Sequence, residues 1–160
     1  MFNLAIDRKL RGCDLVNLRV RDVAHGNQML NRAIIVQSKT QRPVQFELTE
    51  DTRNALSAWI AKANLKSEQH LFPSHLQNSP QVSTRQYARI VHRWVAAIGL
   101  DSTAYGTHTM RRTKATVIYR RTRNLQAVQL LRGHSKLERT VRYLGIEVDN
   151  ALKISEQAEI

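Results

Sequence analysis

The chain has 160 residues, 42% hydrophobic and 24% charged, which fits one domain with a core of its own and lies outside the disordered range. Its longest apolar runs are short, such as Ala33-Ile34-Ile35-Val36, so no segment can span a bilayer. No charged n-region precedes an apolar stretch at the N-terminus, a single cysteine (Cys13) excludes an internal disulfide, and no His/Cys cluster has zinc spacing.

The formal net charge of +12 points to a polyanionic partner. Charge is uneven along the chain. After Tyr143 come four acids and one lysine, a net of −3, so residues 1–143 carry +15. Cys13 reads as a small packed apolar side chain in a reducing cytosol.

Taken in chain order, residues 2–10 read as a helix with Phe2, Leu4, Ala5, Ile6 and Leu10 apolar. Asp14 can cap a second short helix through Leu15-Val16-Asn17-Leu18, and Val20 to Val23 leads into a strand-like stretch. Ala33–Val36 is β-branched and apolar, and Gln41–Leu48 alternates with the period of a half-buried strand. Lys39-Thr40-Gln41 between them reads as a hairpin turn. Thr49 caps a helix carrying Leu56, Trp59, Ile60 and Ala63. Residues 64–82 hold two of the three prolines and read as a long loop.

Ser83 caps the next helix, from Thr84 to about Gly99, with Tyr87, Ile90, Val91, Trp94, Val95 and Ile98 on one face. Thr107 can cap another, bearing His108, Arg111, Ala115, Ile118 and Tyr119. Asn124–Leu131 forms a helix ended by Gly133. Residues 136–143 read as a short helix or turn, and 147–158 as a closing helix. The expected fold is α+β and mainly α, a single helical domain over 1–160 with a small antiparallel sheet near its N-terminal end.

Four residues near the C-terminal end could carry chemistry. His108-Thr-Met-Arg111 places a histidine and an arginine on one helical face. Gly133-His134-Ser135 follows, and Tyr143 comes nine residues after that histidine. Cleaving a phosphodiester requires that the non-bridging oxygens be bound, that a nucleophile lose a proton and that the leaving oxygen gain one. Arginine binds phosphate bidentately and stays charged. Histidine exchanges protons near neutral pH. Tyrosine can attack, but with a free pKa of about 10 it needs cations nearby. Arg11 lies three residues before Asp14 in Lys9-Leu10-Arg11-Gly-Cys-Asp14-Leu15, and Lys39 sits on the hairpin. Taken singly, each has a plain alternative: a solvated arginine, a surface lysine, a helix cap at Gly133, a buried aromatic at Tyr143.

In their order and spacing these residues resemble the tyrosine recombinases, the phage integrase family. The resemblance spans about Leu4 to Leu144. It implies that Arg11 is the family's first active-site arginine and that Asp14 is the acid supporting the fold around it. It also implies that Lys39 is the general acid, His108, Arg111 and His134 complete the phosphate site, and Tyr143 is the nucleophile. Lys9 stands where the family commonly has glycine, and Arg112 where many members have a second histidine. Arg42, Arg112 and Lys114 are expected to contact DNA phosphates.

The implied activity is metal-free, cofactor-free cleavage and rejoining of double-stranded DNA through a 3′-phosphotyrosyl link. The setting would be the cytoplasm, in a bacterial, phage- or plasmid-encoded system. Two alternatives remain: a DNA-binding relative that does not cleave, and a type IB topoisomerase. The resemblance implies a separate N-terminal DNA-binding domain, which is expected to be absent from residues 1–160, as in a fragment or a short or degraded relative. The acidic segment 146–158 either packs on its own domain or docks on a neighbouring protomer. Tyr87, Tyr105 and Tyr119 are expected to be structural.

Overall fold

The structure is a computed structural model that describes residues 1–7, 10–75, 79–132, 140, 141 and 144, with backbone alone at Asp7, Arg111 and 130–132. His134, Tyr143 and the segment 146–158 lie outside the described residues. Contacts divide the chain into two compact units, Met1–Arg111 and Arg112–Ile160.

The first unit opens with two short helices, α1 (Phe2–Asp7) and α2 (Gly12–Val16), then a 3₁₀ turn over Val20–Asp22. A two-residue hairpin follows, β1 (Ala24–His25) on β2 (Gln28–Met29). Gly26 turns it at φ +58, in the left-handed region that glycine enters without steric cost. One expectation is corrected: Leu10 lies outside any helix. Val20 to Val23 leads into a strand as expected, reaching β1 through the 3₁₀ turn. The Gly26-Asn27 pair is the signal that would have revealed the extra hairpin.

The second hairpin matches the alternating pattern. Strand β3 (Arg32–Val36) pairs antiparallel with β4 (Pro43–Glu47), with Ala33 opposite Phe46 and Val36 opposite Pro43. Ala33 and Phe46 face inward and are buried, whereas Ile34 and Val36 face solvent. Gln37 and Arg42 close a four-residue loop, the Gln37 N–H donating to the Arg42 carbonyl at 3.0 Å. Gln41 takes the left-handed conformation at φ +50 inside that loop. Its side chain holds the turn by donating to the Ser38 carbonyl at 2.9 Å.

Helix α3 (Glu50–Lys62) starts where expected, with the Thr49 hydroxyl accepting the Thr52 N–H. Asn64 ends it at φ +50. Its N–H donates to the Ala61 carbonyl, and that of Leu65 to the Ile60 carbonyl. This is the paired bonding of a Schellman motif, here built on asparagine. Gly99 at φ +75 closes α4 (Thr84–Ala97) in the same way, through Gly99 on Ala96 and Leu100 on Val95. At its other end α4 has a reciprocal cap: Ser83 Oγ accepts the Gln86 N–H at 3.1 Å, and Gln86 Oε1 accepts the Ser83 N–H at 2.8 Å. Tyr87, Val91 and Val95 recur every four residues on the buried face.

The segment 63–82 forms no helix or strand among the described residues, yet it is fixed to the rest of the unit. The Leu71 N–H donates to the Leu18 carbonyl at 2.7 Å, and the Val20 N–H to the Gln69 carbonyl at 3.0 Å. Trp59 Nε1 donates to the Leu71 carbonyl at 2.7 Å. Leu71 and Phe72 enter the main core with Leu4, Leu15, Leu18 and Val91.

Helix α5 (Thr107–Thr122) begins in the first unit, where Met110 joins the main core. Thr107 is its first helical residue and not a cap outside it. The nearby hydroxyl that bonds backwards is that of Thr109, which accepts the Gly106 N–H at 3.3 Å. In the second unit, Ala115, Tyr119 and Val128 make a separate small core with Ile118, Leu125 and Leu144. Arg123 takes φ +53 and donates its N–H to the Tyr119 carbonyl at 2.7 Å, closing α5. The Asn124 side chain then accepts the Ala127 N–H at 2.8 Å and starts α6 (Leu125–Arg132).

Burial pushes the Tyr87 hydroxyl up to about 12. The folded chain therefore keeps a proton that the unfolded chain loses at a pH of about 10. Stability is intact below that pH and is lost as pH rises through the folded value. Tyr87→Phe should remove roughly 2–3 kcal/mol of the alkaline loss of stability between pH ~10 and ~12. Urea titrations across that window, comparing variant with parent, check this; parallel curves would contradict it.

Candidate active site

Arg11 occupies the N-cap position of α2 with extended backbone, φ −74 and ψ 158. Its side chain is half-buried. The next residue is glycine: a Cβ at Gly12 would sit 3.3 Å from Cδ1 of Tyr87, a tight contact, so α2 lies close against α4 there. Arg11 Nη1 donates to Oε1 of Gln37 at 2.8 Å. The Thr40 hydroxyl donates to the same oxygen, also at 2.8 Å. One buried amide carbonyl thus joins the start of α2 to the turn that carries Lys39.

Asp14 makes a second join between the same two elements. It lies inside α2, 3% exposed, and caps nothing. Its Oδ1 instead accepts the Ser38 N–H at 2.9 Å, with the Cys13 thiol 3.8 Å away. Its Oδ2 is buried without a hydrogen-bond partner among the described residues. The sequence pattern marked Asp14 as a cap because acids are common there; tertiary contact gave the carboxyl a different donor, one turn of hairpin away.

Lys39 is exposed at the hairpin loop, and Arg42 is exposed at its base. No hydrogen bond or ion pair engages Lys39 among the described residues. His108 is exposed on the first turn of α5, and the backbone of Arg111 follows three residues on. Both belong to the first unit, as do Arg11, Asp14 and Lys39. No bond among the described residues links His108 to Arg11 or Lys39. Arg112 is exposed and Lys114 half-buried at the start of the second unit. The structure thus ties Arg11, Asp14 and the Lys39 turn together by hydrogen bonds and puts His108 on the same unit.

Two features escaped sequence reading. Gln37 is one; nothing in local pattern separates it from any strand-end glutamine. The other is a cationic stripe on α4: Arg85, Arg89 and Arg93 recur every four residues on its exposed side, with His92 beside them. Their spacing opposite Tyr87, Val91 and Val95 was a readable signal. A cleft of about 240 Å³ between α1 and α3, lined by Met1, Phe2, Leu4, Leu56 and Trp59, contains none of the candidate residues. Among the described residues, no group of His, Cys, Asp and Glu could hold a metal ion, and no helix is long and apolar enough to cross a membrane.

The family model described as phage integrase family matches residues 1–149. The chain belongs to the phage integrase family. Among curated members of this family, it is 30% identical over 149 residues to the probable integrase/recombinase YoeC of Bacillus subtilis, covering 93% of this chain and 77% of that protein. It is 28% identical over 160 residues to the tyrosine recombinase XerC of Neisseria gonorrhoeae, covering 99% of this chain and 50% of XerC. The fold agrees with solved members. The XerA recombinase superposes with a TM-score of 0.71 at 18% identity, over 99% of this chain and 55% of that one. The XerH recombinase bound to its difH substrate gives 0.69 at 19% identity, over 99% of this chain and 45% of that one. The chain therefore spans about half the length of XerC and of these solved structures, and three quarters of YoeC.

The bond from Asp14 to the hairpin should matter for stability. Asp14→Ala is expected to cost roughly 1–3 kcal/mol, the usual range when a buried hydrogen bond loses one partner. The measurement is the urea midpoint at constant slope. An unmoved midpoint would mean that the bond contributes nothing.

Proposed function

We propose that residues 1–160 form the catalytic domain of a site-specific DNA recombinase that cleaves and rejoins strands through Tyr143. The observation that supports this most is the hydrogen-bonded join of Arg11 to the Lys39 turn, within a chain of the phage integrase family. Those two residues have opposite tasks on one phosphate, so a rigid link between their elements suits the reaction.

The proposed step balances without any outside energy source. The Tyr143 oxygen attacks the scissile phosphorus, and its proton passes to His108. The bond from phosphorus to the 5′-oxygen breaks as Lys39 gives that oxygen a proton. A 3′-phosphotyrosyl link and a free 5′-hydroxyl result. Rejoining is the reverse, with a 5′-hydroxyl attacking the link, so the bond energy is conserved. Arg11, Arg111 and His134 bind the non-bridging oxygens as charge grows on them. The partner is double-stranded DNA in the cytoplasm. Arg42, Arg112 and Lys114 contact its phosphates, and the exposed α4 arginines add further cations. The segment 146–158, with apolar Ile146, Val148, Leu152 and Ile154 among acids, docks on a neighbouring protomer on the DNA.

The test is a nicked duplex whose cleaved fragment diffuses away and traps the covalent adduct. The 160-residue chain should form the adduct in the presence of a chelator, and Tyr143→Phe should form none. Arg11→Ala should slow adduct formation by about a hundredfold to a thousandfold, as for loss of one donor to a developing oxyanion. An adduct that persists in Tyr143→Phe would sink the assignment. A mobility shift without any adduct would instead indicate a DNA-binding relative that does not cleave.

A further inference from the structure

We infer that Gln37 is a positioning residue for strand cleavage, a single side chain that aims Arg11 at the scissile phosphate and holds the Lys39 turn at the leaving oxygen. This rests on the roles proposed above for Arg11 and Lys39. Gln37 is only 8% exposed, although it closes a surface hairpin. A buried amide is costly unless its atoms are bonded, so its retention there needs a reason. Its side-chain oxygen takes two donors, Arg11 Nη1 and Thr40 Oγ1, each at 2.8 Å. Its backbone takes two more bonds, to the Arg42 carbonyl at 3.0 Å and from the Gln41 N–H at 2.9 Å. Gln37 is thus bonded to Thr40, Gln41 and Arg42 of the loop in which Lys39 lies.

The choice of atoms on Arg11 is informative. Gln37 engages Nη1 alone, and no described residue accepts from Nε or Nη2. Nε and Nη2 form the edge of the guanidinium that can present two parallel N–H groups to two phosphate oxygens. Gln37 therefore fixes the plane of the fork while leaving that edge open. The acceptor is also neutral. A carboxylate in its place would hold Arg11 as firmly but offset the positive charge that the phosphate requires. The Thr40 bond carries the same constraint across to the turn, one residue after Lys39.

The experiment uses the 160-residue chain and the nicked duplex with three scissile linkages. One is an ordinary phosphate. The second has sulfur in place of the bridging 5′-oxygen, so the leaving group departs as a thiolate and needs no proton from Lys39. The third is a methylphosphonate, which carries less charge and leans less on Arg11. At saturating DNA, Gln37→Met should cleave the phosphate about 10- to 100-fold more slowly, the scale of an ångström-sized misplacement of a reacting group. Its Kd for DNA should stay within about twofold of the parent value, because the loss is in the transition state. Bridging sulfur should recover part of the rate, and methylphosphonate another part. Thr40→Val removes only the arm to the turn, so bridging sulfur alone should restore it.

Equal loss on all three linkages, or cleavage by Gln37→Met within about twofold of the parent, would overturn the inference. If Gln37→Met does not fold, as judged by thermal unfolding, the pattern in Thr40→Val decides. A parent chain that forms no Tyr143 adduct would defeat the function proposed above, and this inference with it. A parent that does form the adduct, with Gln37→Met unselective among linkages, would defeat this inference alone.

Discussion

The arrangement of the first unit depends on the bonds that two buried polar side chains, Gln37 and Asp14, make through one oxygen each. Each sits at an interface between α2 and the β3–β4 hairpin, and each finds its partner on the other element. Neither element could hold its place alone. Helix α2 is five residues long, far too short to persist by itself, and a two-stranded hairpin is marginal in water. Bonding across the interface, together with the core under it, fixes both. Buried polar contacts add little net energy when made but are expensive to break. The register between α2 and the hairpin is therefore more specific than apolar packing alone would make it.

Around that join, the chain uses its ends economically. Three successive helices terminate on a residue in the left-handed conformation: Asn64, Gly99 and Arg123. Only one is glycine. The other two accept the steric cost because the turn satisfies carbonyls that would otherwise be left bare at the helix end. The loop after α3 is likewise held by backbone bonds to Leu18 and Val20, and it delivers Leu71 and Phe72 to the core. A segment without helix or strand is here as much a structural element as its neighbours.

Charge and burial divide the surface of the first unit. The apolar face of α4 packs on α2 through Tyr87, and the opposite face shows Arg85, Arg89 and Arg93 to solvent. Solvated cations cost nothing in the unbound chain and gain when counterions are released from a nucleic-acid backbone. Arg11 differs from them. Half-buried and bonded through one nitrogen, it has given up part of its freedom in advance, as the role proposed for it at the phosphate would require.

Much of this was legible in the residues alone. The caps at Thr49 and Ser83, the hairpin around Lys39 and the helices over 50–62, 84–97 and 107–122 follow from local chemistry repeated at fixed spacing, and the family was legible through the resemblance of its motifs. Hydrophobic period and capping act over a few residues, so a linear reading captures them. The hydrogen bonds of Asp14 and Gln37 and the core contribution of Leu71 were not legible in that way. Asp14 and Gln37 lie 24 and 26 residues from the partners they hold, and no period in the sequence reports a bond of that span. The sequence by itself determined which cationic, proton-carrying and nucleophilic groups the chain bears. Only the tertiary structure decided which of them are held in place, because a donor and an acceptor far apart in the chain meet solely through the packing of the elements that bear them.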